Sequence, residues 1–110
     1  MELSTSRHGD MTIVNVTAGR IDAAAAIAFK DAMRAAVADG TDHVVLDLGQ
    51  VTFVDSSGLG AIVAAMKHMG DGRRLDLAGL TPDVAKVFRL TRMDTVFVIH
   101  HDIDRLTATG

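Results

Sequence analysis

The sequence predicts an α/β domain, with a mixed, mostly parallel sheet of about five strands packed against about four helices. Three observations point there. Runs of β-branched residues alternate with segments whose apolar residues recur at helical spacing. One run, HVVLDL at residues 43–48, is apolar nearly throughout, as a strand covered on both faces must be. Glycine or proline punctuates most of the junctions.

In order, residues 2–7 read as a short first strand and His8-Gly9-Asp10 as a turn. Residues 11–17 form the second strand, where Ile13, Val14 and Val16 supply β-branched bulk. Gly19 breaks it, and Asp22 is positioned to cap the next segment. Residues 23–39 predict a helix. Ala26, Phe29, Met33, Ala36 and Val37 share one face, Lys30, Asp31 and Arg34 fall mostly on the other, and Gly40 ends it.

After the strand at 43–48 and Gly49-Gln50, the apolar run 51–54 leads into Asp55. Residues 59–69 predict a second helix ending at Gly70. Its apolar residues go nearly all round, so it is expected to be the more buried of the two. Asp71-Gly72 is a turn and 74–78 a strand. Thr81-Pro82 pairs a hydroxyl cap with proline at the first helical position. That helix is expected to run to about residue 91 with Val84, Val87, Phe88 and Leu90 inward, while Arg89 and Arg92 suit its negative end. Residues 96–99 predict the last strand and 102–107 a short helical turn. No internal repeat or linker interrupts residues 1–110, which read as one domain.

Composition narrows the function. Of the 110 residues, 48% are hydrophobic and 23% charged, enough for one core. Cysteine is absent, which excludes disulfides, thiolate metal sites and thiol catalysis. The net charge of -3 disfavours nucleic acid as a partner. The four Phe are the only aromatics, so no base-stacking platform is expected. Residues 1–10 are polar and charged, and the longest apolar stretch, 58–66, is too short to span a bilayer. The expectation is a cytoplasmic protein with no membrane insertion.

The informative segment is Phe53-Val54-Asp55-Ser56-Ser57-Gly58-Leu59-Gly60. A strand ends in an acid, two hydroxyls and a glycine, and a helix begins at once. Such a junction presents free backbone N–H groups and the positive end of a helix dipole, a natural seat for an anion. On residue chemistry alone, Ser56 or Ser57 at this place is a helix cap. A hydrolase elbow needs G-x-S-x-G, which neither serine satisfies. A dinucleotide fingerprint needs glycine where Val63 stands, and no Walker motif is present.

VVLDLGQVTFVDSSGLGAIVAA closely resembles the signature of the STAS domain, shared by sulfate transporters and anti-sigma factor antagonists. The resemblance covers nearly the whole chain. Gly19-Arg20-Ile21-Asp22 resembles the family's G-x-[LI]-D element. Val87-Phe88-Arg89-Leu90 and Val96-Phe97-Val98-Ile99 resemble its third helix and last strand. The resemblance implies a phosphorylation switch with no cofactor and no catalysis of its own. The serine before the glycine, Ser57 here, is the phosphoacceptor. The implied kinase is a GHKL-type anti-sigma factor, bound by the unphosphorylated antagonist, and a PP2C-type phosphatase restores the serine. The implied partner surface takes in Arg20, Asp22, Ser57, Leu59 and Gly60.

Phosphorylation adds about −1.5 to −2 charges at one point. A helix start tolerates that charge; a partner packed on Ser57 does not, and Asp55 nearby intensifies the repulsion. Ser56 is expected to be the true N-cap. Asp55 either orients the serine or a phosphate-bound metal, or caps. Gly58 serves backbone geometry, Asp22 is a cap rather than a ligand, and Asp47 is a hydrogen-bonded structural acid. His100-His101-Asp102 is not expected to bind metal, because adjacent residues on a strand point apart. His8, His43 and His68 show no ligand spacing, so no metal is expected. Met33, Met66 and Met69 are expected to fill core gaps.

Two departures bear on the transfer. Arg20 is basic where partner-switching members carry an acid, and the chain ends soon after its last strand, which predicts a reduced final layer. The rival to a switch is a constitutive accessory subunit of a lipid-transport ATPase. An enzyme ranks third, since no paired acid and base or activated nucleophile is apparent. A monomer is expected.

Overall fold

A computed structural model describes residues 1–38 and 41–107. Strand β1 (Leu3–His8) turns at Gly9, which has a φ of 62°, into antiparallel β2 (Met11–Val16). Glycine reaches that left-handed conformation without the Cβ penalty. Strands β4 (His43–Asp47), β6 (Arg74–Ala78) and β7 (Ile99–His100) add in parallel, giving the order β1-β2-β4-β6-β7. The expected mixed, mostly parallel sheet of five strands is therefore present. A second sheet was not foreseen: β3 (Arg20–Ile21) and β5 (Phe53–Val54) pair in parallel as two-residue strands. Segments this short carry no usable periodicity.

Helices α1 (Ala26–Val37) and α2 (Ser56–Met69) pack on one face of the main sheet, and α3 (Pro82–Leu90) joins the same core. Phe29 and Met33 of α1 and Ile62 of α2 meet Val14, Val44, Leu46 and Leu77 from the strands. Each is essentially fully buried, and a side chain of that size contributes about 2 kcal/mol on burial. Phe88 and Phe97 add an edge-to-face pair with ring centres 6.1 Å apart. Met33 and Met69 are buried in this core and Met66 packs against it, as expected.

The opposite face is sparser. Met11, Ile13, Val45 and Ala78 form a small apolar cluster, against which Ile103 and Leu106 of α4 (Ile103–Thr107) rest. The period-2 alternation decides this division. Val44 and Leu46 point to the helices, and Val45 points away.

Several expectations need correction. Helix α1 begins at Ala26 rather than residue 23, because residues 22–25 form a separate turn closed by Ala25 N donating to the Asp22 carbonyl and to Asp22 Oδ1, 3.0 and 3.2 Å. Its expected end at Asp39 and Gly40 lies outside the described residues. At the described end, Arg73 Nη2 donates to the carbonyls of Val37 and Thr41, both at 2.9 Å, and so satisfies an orphan helix acceptor. Helix α2 begins three residues earlier than expected, at Ser56. Leu90, expected inward, is 71% exposed, because its position falls on the solvent side of α3 at the last turn. Thr81 holds the N-cap position of α3, but its hydroxyl donates to the Val51 carbonyl at 2.7 Å instead of accepting from the helix. The strand expected at 96–99 shrinks to Ile99–His100, since a 3-10 turn occupies Met93–Thr95 behind a left-handed Arg92.

Asp47 behaves as expected. Its Oδ1 accepts from Gly49 N at 2.9 Å, and its Oδ2 accepts from Asn15 Nδ2 at 3.4 Å. Among the described residues, no helix is long and apolar enough to cross a membrane.

Candidate functional site

The strand β5 ends at Val54, and the chain turns directly into α2. Asp55 makes this corner. It holds an extended N-cap conformation, and its Oδ1 accepts from Gly58 N at 2.9 Å. Its Oδ2 accepts from Ala23 N at 3.1 Å, so the same carboxylate ties the loop after β3 to the start of α2. The Asp55 carbonyl accepts from Leu59 N at 2.8 Å. The cap is therefore Asp55 and not Ser56. An acid satisfies two backbone donors from two segments, which a serine hydroxyl cannot span. Of the two roles weighed for Asp55, the capping one is what the geometry displays.

The bond from Gly58 N lowers the Asp55 pKa. Partial burial opposes this, while the amides of Ala23 and Ser57 and the Arg20 charge reinforce it. The carboxyl thus sits below its ordinary value, and the corner carries a fixed negative charge at neutral pH.

Gly58 is buried where α2 crosses β3. A methyl group there would overlap the carbonyl oxygen of Ile21 and lie 2.7 Å from its carbonyl carbon. Only a bare Cα lets helix and strand approach so closely. Gly60, two positions on, faces open space.

Ser56 and Ser57 occupy the first two positions of α2, and both are exposed. Among the described residues, neither hydroxyl takes part in a hydrogen bond. The Ser57 hydroxyl is thus presented to solvent by a segment that Asp55 and Gly58 fix on both sides. Leu59 turns partly inward onto the core, so of the two positions after Gly58 only Gly60 lies on the open surface.

Arg20 and Asp22 lie on the β3 side of this corner. Arg20 Nε donates to Asp22 Oδ2 at 3.3 Å, and its guanidinium sits 4.2 Å from the ring centre of Phe53, the residue paired with it across β3 and β5. Arg20 is therefore held in place by an acid and an aromatic face. Phe53 itself is 40% exposed, and sequence reasoning did not single it out. Strand alternation accounts for its exposure: Val54 beside it is buried, and neighbouring strand residues face opposite ways. Arg20, Asp22, Phe53, Asp55 and Ser57 make up a surface of mixed charge with one aromatic plate.

A second polar constellation lies on the other side of the main sheet. His43 of β4, Asp76 of β6 and His100 of β7 meet there, with Arg74 beside them. Burial opposes ionisation of Asp76. The hydrogen bonds from Arg74, His100 and His43 and the Arg74 charge outweigh it and hold the carboxyl below its ordinary value. His43 showed no ligand spacing and His100 was weighed only with its neighbours His101 and Asp102, so their meeting across 57 positions of chain was not foreseen.

Known proteins confirm the architecture. A family model described as "Mlab, STAS domain" matches residues 3–100. A STAS-domain containing protein of Pseudomonas aeruginosa (strain UCBPP-PA14) is 33% identical over 82 residues, covering 74% of this chain and 80% of that protein. The crystal structure of an anti-sigma factor antagonist from Mycobacterium paratuberculosis is 30% identical and superposes with a TM-score of 0.84, covering 97% of this chain and 92% of that one. The Bacillus cell fate determinant SpoIIAA in its phosphorylated form shares the fold at 15% identity, with a TM-score of 0.66 over 99% of this chain and 100% of that one. The strand order, the corner at Asp55 and the match over residues 3–100 lead to one conclusion: the chain belongs to the STAS domain family.

Proposed function

We propose that the protein is an anti-sigma factor antagonist that works by partner switching. With Ser57 unmodified, it binds a GHKL-type anti-sigma factor that is also its kinase. That kinase transfers the γ-phosphoryl group of ATP to Ser57 Oγ, which gives up its proton as ADP leaves, and the complex then separates. A PP2C-type phosphatase hydrolyses the phosphoserine and resets the switch. On this reading the protein is a cytoplasmic monomer and a regulator rather than an enzyme.

The observation that carries the reading is the exposed Ser57 hydroxyl on a corner fixed by Asp55 and Gly58. A kinase can reach it without unfolding anything. The new charge would meet the positive end of α2, so the fold accepts it. A partner packed against Arg20, Phe53 and Gly60 would meet the added bulk and charge beside the ionised Asp55. The switch therefore changes affinity and leaves the domain intact. The similarity to an anti-sigma factor antagonist at 30% identity supports the same role.

The test begins with the protein isolated from its own cells. Intact-mass and peptide mapping are expected to find one phosphate, on Ser57. Pull-downs with folded Ser57→Ala and Ser57→Asp baits come next. A GHKL-type ATPase retained by the alanine bait and lost from the aspartate bait supports switching. The same transport ATPase on both baits overturns it and favours a constitutive subunit of a lipid-transport complex.

A further inference from the structure

The His43–Asp76–His100 constellation plays no part in the proposed switch. Asp76 sits in the centre of β6, on the face away from α1 and α2, and is 1% exposed. Four N–H donors converge on its Oδ2: His43 Nε2 at 2.9 Å, His100 Nε2 at 2.8 Å, and Arg74 Nη2 and Nε at 2.8 and 3.2 Å. An ionised carboxylate only accepts, so each imidazole places its Nε2 proton toward the same oxygen. The second oxygen, Oδ1, accepts from Arg74 Nε at 3.0 Å. Two imidazoles and one carboxylate, supplied by three neighbouring strands, thus bring their ligand atoms close together.

We propose that His43, Asp76 and His100 form a binding site for a divalent transition-metal ion of the zinc or nickel class. The three ligand atoms lie within 4.8 Å of one another. Around a tetrahedral ion with bonds of about 2.0–2.1 Å, ligand atoms stand about 3.4 Å apart. The two contacts to Oδ2 need to open by about half an ångström for that, and the two nitrogens need to close toward each other. Both imidazoles are part-exposed, with 31% and 25% of the side chain open to solvent, so small ring rotations can supply this. The donor set of two nitrogens and one oxygen suits a first-row ion and not magnesium or calcium, which want oxygen alone. Three protein ligands leave a fourth position for water.

Binding moves the proton of each imidazole from Nε2 to Nδ1 by way of solvent, with no net proton released, and the freed Nε2 lone pair takes the ion. Arg74 Nη2 withdraws from Oδ2. Its Nε, 3.0 Å from Oδ1 and 3.2 Å from Oδ2, withdraws with it. Arg74 is a cation within a few ångströms of the site and competes with the ion. Its side chain is 58% exposed and free to swing outward. The ion would bridge β4, β6 and β7, and so would pin the last strand to the sheet.

The test uses the untagged full chain and Zn2+ or Ni2+ alone, titrated by calorimetry, with Co2+ as a spectroscopic probe. One ion per chain is expected, with no binding of Mg2+. His43→Ala and His100→Ala should each weaken binding by about tenfold or more, a loss that even outer-partner removal can reach. Arg74→Ala removes the competing cation and should tighten binding. That variant keeps all three ligands, so it tests the site even where a ligand variant fails to fold. Bound Co2+ should show the visible absorption of a four-coordinate N/O site in the wild type and lose it in His100→Ala. Absence of binding up to millimolar ion overturns the proposal. So does binding that His43→Ala and His100→Ala leave unchanged, or that Arg74→Ala weakens.

Discussion

Asp55 and Asp76 each have both carboxylate oxygens engaged, and they use opposite partners. Asp55 accepts from backbone N–H groups, those of Gly58 and Ala23. Asp76 accepts from side chains, those of Arg74, His43 and His100. A backbone amide cannot leave or change its charge without the chain moving, so Asp55 is a permanent joint between β3, β5 and α2. A guanidinium can swing away and an imidazole can change its proton or take a metal, so Asp76 is a joint with exchangeable partners. The corner beside Ser57 is built to keep its shape when its surface charge changes. The opposite face is built so that its own contacts can change.

The sharpest way to break the rigid joint is to spoil its fit. Gly58→Ala forces a methyl group into the Ile21 carbonyl. It should cost about 3 kcal/mol or more and in the extreme prevent folding. Thermal denaturation followed by circular dichroism measures this, and a wild-type melting temperature would show that helix and strand can separate at no cost.

Next in size is Asp76→Ala, which leaves Arg74 and both histidines without their shared acceptor. About 2 kcal/mol should be lost, the scale of a hydrogen bond to a charged group. Because the buried carboxylate ties β7 to β6, hydrogen exchange should quicken most at Leu77 N and Gly79 N, which donate to Val98 and His100 carbonyls. Uniform quickening across α1 and α2 as well would mean that the two faces do not differ.

Asp55→Ala should lower the melting temperature by several degrees at neutral pH. The depressed pKa fixes the sign of the pH dependence. The ionised Asp55 contributes stability above the ordinary carboxylate range, near about 3.9, and loses it as pH falls through the lower folded value. Wild type and variant should therefore differ most above about pH 5 and converge in stronger acid. A gap that persists there would show that the cap does not depend on charge.

The smaller effects concern the exposed side of the corner. Gly60→Ala meets open space within a helix and should stabilise by about 0.5–1 kcal/mol, the reverse of Gly58→Ala. Ser57→Asp places an acid in the first turn of α2 and should shift stability by less than about 0.5 kcal/mol, while partner binding is lost. A large loss of stability in this variant would mean that the corner does not absorb charge as its geometry implies.

Much of this was legible in the sequence. The alternation of apolar spacing marked β2, β4, α1, α2, β6 and α3, and their faces followed from periods of 2 and 3.6. The acid–serine–serine–glycine run marked the corner. The shorter elements were not legible. Two-residue strands β3 and β5 are defined by pairing with each other, and their own residues carry no pattern. The exposure of Leu90 escaped because one apolar residue at a helix end does not tell which way the last turn faces.

The sequence by itself determined what local chemistry can determine: which segments are helix or strand, where the strand-to-helix corner falls, and that Ser57 stands on it. Those properties depend on residues within a turn or two of each other. Only the tertiary structure decided that Asp55 and not Ser56 caps α2, because half of its bonding comes from Ala23, 32 residues away. It alone decided why Gly58 must be glycine, since the obstructing carbonyl belongs to Ile21 on another strand. The meeting of His43 and His100 on Asp76 was likewise decided by sheet order, since parallel strands far apart in sequence bring their side chains to one face only when paired.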